Sequence, residues 1–261
     1  MSVRILFIIL FLSLKIAAQK IAIIGAMPEE IELLKENMQK MKVKTHYDLT
    51  FYEGKIEGQR VVVMKGGIGK VNAAYSTALL LEKYPIEKII FTGVAGGLHP
   101  DARPGDIVIA DSVFHHDYVR YLPDNKVVSW STRNISEGKP NPFAFACDTI
   151  LTKKAISEAS FVKFQSIEGH LPQIFKGKIA TGDAFVSSHE KATELYQKHH
   201  ALATEMEGTA VAQIAYQRGV KFLIIRSCSD NANNNASVDF RTFVKPAAEN
   251  AIRLVLRILG E

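Results

Sequence analysis
The chain has 261 residues, 47% hydrophobic and 23% charged, with 17 Gly and 9 Pro, which excludes disorder, collagen and coiled coil and suits a large α/β domain burying roughly 70% of its unfolded surface. Its 32 basic and 27 acidic residues leave a charge of +5 spread along the chain without a Lys/Arg cluster, so nucleic acid is not an expected partner. Cys147 and Cys228 lie far apart, with no Cys-x-x-Cys and no zinc-type Cys/His spacing, and predict neither a disulfide framework nor a metal site.

Residues 1–18 have the layout of a secretory signal: Arg4, an apolar run over 5–14, then Lys15-Ile16-Ala17-Ala18 before Gln19. That run is too short for a bilayer span of about twenty residues. The expectation is a cleaved leader over 1–18, one domain over 19–261, no stable membrane insertion, and a periplasmic or secreted protein. Loss of Arg4 and Lys15 lowers the charge from +5 to +3.

From residue 20 onward, short apolar runs alternate with amphipathic stretches, the pattern of βαβ units and a mostly parallel sheet. Predicted strands cover 21–24, 61–64, 88–92, 106–110, 178–181 and 222–226; predicted helices cover 29–41, 71–84, 149–159, 190–200, 207–218 and 245–259. In the last helix Ala248, Ala251, Ile252, Val255, Leu256 and Leu259 recur at three-to-four spacing and form one apolar face. Ser187 and Glu190 offer a capping box for the helix at 190. The stretch 113–176 is broken by Pro123, Gly138, Pro140, Pro142 and Pro172, and long loops in compact domains tend to be functional.

Open parallel sheets bind ligands beyond the carboxyl ends of their strands, so the residues after each apolar run are the ones to inspect. Gly25-Ala26-Met27-Pro28-Glu29-Glu30 follows the first run; Glu30, in a first helical turn, could simply complement the helix dipole. The glycines of Lys65-Gly66-Gly67-Ile68-Gly69-Lys70 and Gly93-Val94-Ala95-Gly96-Gly97 match neither the dinucleotide nor the Walker spacing, yet they allow close approach of a ligand to the backbone. Glu207 and Asp230 stand directly beyond buried apolar runs, where a lone charge is expensive. Glu30, Glu207 and Asp230 could converge on one cleft, and cleavage of a glycosidic bond needs an acid for the leaving group and a base for water. Phe185 and Phe240, placed in loops, could stack on a base or pack against the domain.

Taken together, Ile23-Ile24-Gly25-Ala26-Met27-Pro28-Glu29-Glu30, Gly67-Ile68-Gly69-Lys70-Val71, Thr92-Gly93-Val94-Ala95-Gly96-Gly97-Leu98, Thr181-Gly182-Asp183-Ala184-Phe185, Glu205-Met206-Glu207-Gly208 and Arg226-Ser227-Cys228-Ser229-Asp230 resemble the motifs of the 5′-methylthioadenosine/S-adenosylhomocysteine nucleosidases, in the family's order. The resemblance implies a single-domain nucleoside-phosphorylase-type α/β fold with a central mixed sheet flanked by helices, a homodimer, no cofactor and no metal. The implied activity is hydrolysis of the N-glycosidic bond of 5′-thio-substituted adenosines with release of adenine. By position, Glu30 would activate water, Glu207 would hold the ribose hydroxyls, and Asp230 would protonate or hydrogen-bond the leaving base. Phe185 would stack on the base, with the Val186 backbone reading its edge and Met206 under the ribose. Ile68, Met27 and Phe240 would line the 5′-thio pocket; Ser229 and Arg226 would support the Asp230 and Glu30 sides. These roles require burial to raise the Asp230 pKa while Glu30 stays ionised more easily.

Two departures from the family pattern stand out. Val94 occupies a position where the family usually has Ser, removing a hydroxyl available to order water or ribose. The segment after His115-His116-Asp117, through Lys139-Pro140-Asn141-Pro142-Phe143, diverges from the Gly/Pro-rich stretch that helps close the 5′ end of the family's pocket. A phosphate-dependent phosphorylase and a non-catalytic nucleoside-binding protein on the same fold are the alternatives. Met27-Pro28-Glu29-Glu30 offers no basic phosphate clamp, and the presence of all three carboxylates argues against lost catalysis.

Overall fold
The computed structural model describes residues 19–136, 138–233 and 235–260; the expected leader over 1–18 lies outside them. In chain order the first half comprises β1 (Lys20–Gly25), a 3-10 turn (Pro28–Glu30), α1 (Glu32–Glu36), β2 (Gln39–His46), β3 (Leu49–Ile56), β4 (Gln59–Lys65), α2 (Lys70–Lys83), β5 (Ile86–Gly97) and β6 (Ile107–His115). Then come β7 (Val119–Tyr121), a 3-10 turn (Pro123–Asn125), β8 (Val127–Ser129), β9 (Phe145–Ala146), α3 (Thr149–Ala159), β10 (Ile174–Thr181), α4 (His189–His199), β11 (Ala201–Glu205), α5 (Gly208–Gln217), β12 (Lys221–Asp230) and α6 (Ala236–Gly260).

The main sheet runs β11-β10-β6-β12-β5-β1-β4-β3-β2, and β11 also pairs with β5. That extra pairing closes β5, β12, β6, β10 and β11 into a ring, from which β1, β4, β3 and β2 extend as a wing. Within the ring β5–β12, β6–β10 and β10–β11 are parallel, whereas β6–β12 and β5–β11 are antiparallel. The sheet is thus mixed, and its parallel strands deliver their carboxyl ends to one side.

Central strands are covered on both faces, which is why they read as unbroken apolar runs. Side chains alternate between the faces: Ile21, Ile23, Val61, Val63, Leu223 and Ile225 join the core beneath α3 and α6, while Ala22, Ile24, Val62, Met64, Phe222 and Ile224 join the core beneath α2 and α5. Each such Ile, Leu or Val contributes about 1.5–3 kcal/mol by leaving water.

Four expectations are corrected. The helix predicted over 29–41 is a 3-10 turn, the five-residue α1 and the start of β2; of its apolar residues Ile31 and Leu34 are buried, whereas Met41 is exposed, so its apolar spacing does not mark one core face. The β2–β3 pair has no counterpart among the predicted strands, because β2 is a largely exposed edge strand without an alternating apolar face. The strand predicted over 88–92 does not end there: Gly93–Gly97 continues it to the end of β5, held by β11 and β12, with Thr204 opposite Gly96 and Ala203 opposite Gly97. The helix predicted over 245–259 begins at Ala236 and carries Pro246 inside it; the proline, which usually marks a first turn, is absorbed here, and Phe240 is therefore helical. More finely, Ser188 rather than Ser187 caps α4, accepting the Lys191 N–H, and the irregular stretch includes the end of β6, the β7–β8 ribbon and β9.

Candidate active site
Glu30 lies one turn beyond β1 and is only 2% exposed. Its Oε2 accepts N–H bonds from Ala26 and Met27 (2.5 and 3.0 Å), and its Oε1 accepts from Val94 on β5 at 2.9 Å. The short turn after β1 therefore folds back onto its own carboxylate, and the neighbouring strand supplies the third donor. Arg226, wholly buried on β12, lies beside it. Gly93 makes this approach possible: a Cβ there would fall on the Arg226 guanidinium and the Glu30 carboxylate.

Arg226 hydrogen-bonds Glu205 Oε2 and stands 3.6 Å from Glu207 Oε2. Burial pulls the guanidinium pKa down, but Glu205, Glu30 and Glu207 outweigh it and hold the group charged. Its Nε and Nη1 are buried without a hydrogen-bond partner among the described residues. Glu205 accepts further bonds from the Thr181 hydroxyl and from the N–H groups of Glu207 (3.1 Å) and Gly208 (2.6 Å). Sequence reasoning misses Glu205, although its alternation with Glu207 across Met206, at the end of an apolar strand, is an available signal.

Glu207 stands at the N-cap position of α5 and turns its side chain away to the start of α2, where Gly69 donates its N–H at 2.8 Å. Gly69 holds a left-handed φ of +90° at this turn, a conformation that costs glycine little. Burial and then the Glu205 carboxylate push the Glu207 pKa up to about 8, against Arg226 and the Gly69 N–H.

Asp230 ends β12, 2% exposed. Its Oδ1 accepts the Ala232 N–H at 2.8 Å and its Oδ2 the Ser229 hydroxyl at 2.9 Å. Burial raises its pKa, opposed by those two donors and assisted by Asp239. Glycine is needed opposite it too, because a Cβ on Gly96 would come within 2.9 Å of Oδ1. The expected contrast in ionisation is corrected in part: burial raises Glu30 as well, against Arg226 and three backbone donors. Its place in a first helical turn does not convey that Glu30 is fully withdrawn from water.

A cleft of about 230 Å³ opens over these groups, lined by Glu30, Glu207, Asp230, Ser229, Met206, Phe185, Val186, Ile68, Met27 and Phe240, with Val94 on its wall. Every predicted site residue except Arg226 thus lines one cavity, and Arg226 lies beneath it, bonded to Glu205 and electrostatically coupled to Glu30. Phe185 and Phe240 meet edge to face at 5.8 Å and 84°. Val94 turns its side chain into an apolar cluster with Ile167, Ala247, Ala248, Met27 and Phe240. His115 and His116 do not line this cleft; His115 bonds Gln213 at 3.2 Å.

The family model described as the phosphorylase superfamily matches residues 20–260. A 5′-methylthioadenosine/S-adenosylhomocysteine nucleosidase of Bacillus licheniformis is 39% identical over 243 residues, covering 92% of this chain and 98% of its own. The crystal structure of the Neisseria meningitidis nucleosidase of that name, in complex with methylthio-immucillin-A, is 36% identical with a TM-score of 0.79, covering 93% and 99% of the two chains. That of the Colwellia psychrerythraea nucleosidase, in complex with adenine, is 33% identical with a TM-score of 0.79 and covers 93% and 95%. Sequence and fold agree across nearly all of the chain, which belongs to the 5′-methylthioadenosine/S-adenosylhomocysteine nucleosidases, a family of N-glycosyl hydrolases.

Proposed function
We propose that the cleft hydrolyses the ribose–adenine bond of 5′-thio-substituted adenosines (methylthioadenosine and S-adenosylhomocysteine) and also of 5′-deoxyadenosine, with Glu30 activating water, Asp230 serving the leaving base and Glu207 holding the ribose hydroxyls. The observation that carries this reading is that two buried carboxyls, from the ends of different strands, line one cleft with unequal support. Glu30 has three backbone donors and the charge of Arg226; Asp230 has one N–H and one hydroxyl, and the charge that acts on it is that of the anionic Asp239. Hydrogen bonds and a cation favour the carboxylate, and a buried site without a cation favours the acid. The first is what a base for water requires, and the second what a donor to the adenine ring requires.

Cleavage builds positive charge on the ribose and negative charge on the adenine. The Glu30 carboxylate on the sugar side and a proton at the base therefore stabilise the transition state more than the substrate. Phe185 stacks on the base in this reading, the Val186 backbone reads its edge, and Met206 lies under the ribose. Met27, Ile68 and Phe240 receive the 5′-thio group, Ser229 orients Asp230, and Arg226 supports Glu30. Water rather than phosphate is the acceptor, because the backbone donors after β1 are already taken by Glu30, whose charge repels phosphate. The test is adenine release by residues 19–261 from methylthioadenosine, with and without phosphate, beside Asp230→Asn. Release without phosphate and its loss in the variant are expected; strict dependence on phosphate overturns the hydrolase.

The leader over 1–18 supports an exported, bacterial periplasmic enzyme that recovers adenine from external nucleosides. Its mature form would begin at Gln19, and recovery of Met1-containing protein from the cytoplasm would refute this. Val71 and Tyr75 on the outer face of α2, next to Ile68 at the cleft rim, are exposed and suit a homodimer contact. Light scattering should then give twice the chain mass, and a monomer for Val71→Glu; a monomeric parent rejects the contact.

A further inference from the structure
Three charged residues outside the cleft tie its walls together. At the start of α2 two successive N–H groups are taken by carboxylates: Gly69 donates to Glu207 at 2.8 Å and Lys70 to Asp183 Oδ1 at 2.7 Å. The Lys70 ammonium reaches Asp117, 2.6 and 2.7 Å from its two oxygens. Asp117 Oδ2 also accepts the Asp183 N–H at 2.8 Å. Each pair among Lys70, Asp117 and Asp183 is therefore joined directly, and the three come from different junctions: Lys70 opens α2 directly after the β4–α2 loop, Asp117 lies in the β6–β7 loop and Asp183 in the β10–α4 loop.

Those loops also carry cleft residues. Ile68 precedes Gly69, and Phe185 follows Asp183 by two positions. Phe185 is 47% exposed, so burial does little to fix its ring, and the backbone of its loop must be anchored by other bonds. Asp117 is suited to anchoring it. Burial pushes its carboxyl up, but Lys70 and the Asp183 N–H bring it below the ordinary range and keep it charged.

We infer that Lys70, Asp117 and Asp183 form an ionic clamp that sets the spacing between the base-stacking Phe185 and the ribose-holding Glu207, making Asp117 a positioning residue for the hydrolysis. The inference rests on the roles proposed above for those two residues. A loosened Phe185 weakens base binding equally in the substrate and in the transition state, so it acts on KM rather than on kcat.

The experiment compares the parent, Asp117→Asn and Lys70→Arg for methylthioadenosine turnover, adenine Kd by calorimetry, and Tm. Asp117→Asn is expected to raise KM and adenine Kd in parallel, about tenfold, with kcat within about twofold, while Lys70→Arg stays near the parent. Salt should raise the parent's adenine Kd, because the clamp is partly exposed and screened, and should barely move that of Asp117→Asn. A fall in Tm with KM and adenine Kd unchanged would reduce the clamp to a structural tie and overturn the inference. If Asp117→Asn does not fold, the parent's salt dependence decides, and a flat adenine Kd overturns it. A parent that binds adenine but releases none refutes the proposed reaction instead, and the clamp is then judged on adenine Kd alone.

Discussion

The outer wing and the cleft solve opposite problems with the same residue types. On β3, Glu53 accepts from Lys20 at 2.6 Å and pairs with Lys44 at 2.7 Å, so two cations serve one carboxylate. Burial pushes Glu53 up, but the lysines prevail and bring it down to about 2. Beneath the cleft, one buried cation, Arg226, serves Glu205, Glu207 and Glu30. Burial raises both Glu30 and Glu207 above the ordinary carboxylate range, and the shared Arg226 offsets it only in part. An excess of cations near water makes a staple; an excess of carboxylates away from water makes groups whose protons are available for chemistry.

The largest effects are expected where the carboxylates act on substrate. Glu30→Gln and Asp230→Asn should each lower kcat by about a hundredfold to ten-thousandfold, the usual range for general acid or base catalysis, with little loss of Tm. The proposed reaction requires Glu30 ionised and Asp230 protonated. The parent rate should therefore fall on the acid side as Glu30 gains its proton and on the alkaline side as Asp230 loses one. Asp230→Asn should lack the alkaline limb. A variant whose residual rate keeps both limbs would remove Asp230 from the reaction.

Arg226→Leu comes next and tests whether the excess of carboxylates is held in check by one group. It leaves Glu205, Glu207 and Glu30 buried without their cation, and breaking a buried pair on one side costs about 3–5 kcal/mol. Lys44→Leu on the wing should cost about 1 kcal/mol or less, since its ammonium is half exposed. Chemical denaturation of the two variants measures the difference; equal losses would mean that the Arg226 network is no more than another surface-like pairing.

The same contrast decides what could be read from the residues alone. β1, β4 and β12 were legible because both faces of each strand are covered, so burial leaves an unbroken apolar run. The ribbon of β2 and β3 was not, because β2 has no buried residue and its place depends on pairing with β3. Glu207 and Asp230 were legible because a charge after an apolar strand needs a partner or a use, whereas Glu30 was legible through the family motif in which it stands. Glu205 was harder to see, since beyond two local N–H groups its role is set by Thr181, its register partner on β10, and by Arg226 on β12, which are distant in sequence and meet it only in the folded sheet. Likewise the rise of the Glu30 pKa depends on how deeply the turn is buried, which a first-turn position in the sequence does not reveal.

The smallest effects are the most discriminating, because the two regions should respond to pH with opposite signs. Glu207, at about 8 in the folded chain against an ordinary 4.5, keeps a proton that the unfolded chain gives up. Its protonation stabilises the fold fully below about pH 4.5, and that contribution is lost as pH rises towards about 8. Glu53, at about 2 against 4.5, does the reverse: its contribution is present above about pH 4.5 and is lost as pH falls through about 2. Glu207→Gln should accordingly raise stability relative to the parent above pH 8 and change it little near pH 4. Glu53→Gln should lower stability at pH 7 by about 1 kcal/mol, since Lys44 is half exposed and its share is screened, and should match the parent near pH 2. Urea titrations across that range measure both, and a common sign for the two variants at alkaline pH would mean that Glu207 is held charged by Arg226 in the same manner as Glu53 by its lysines.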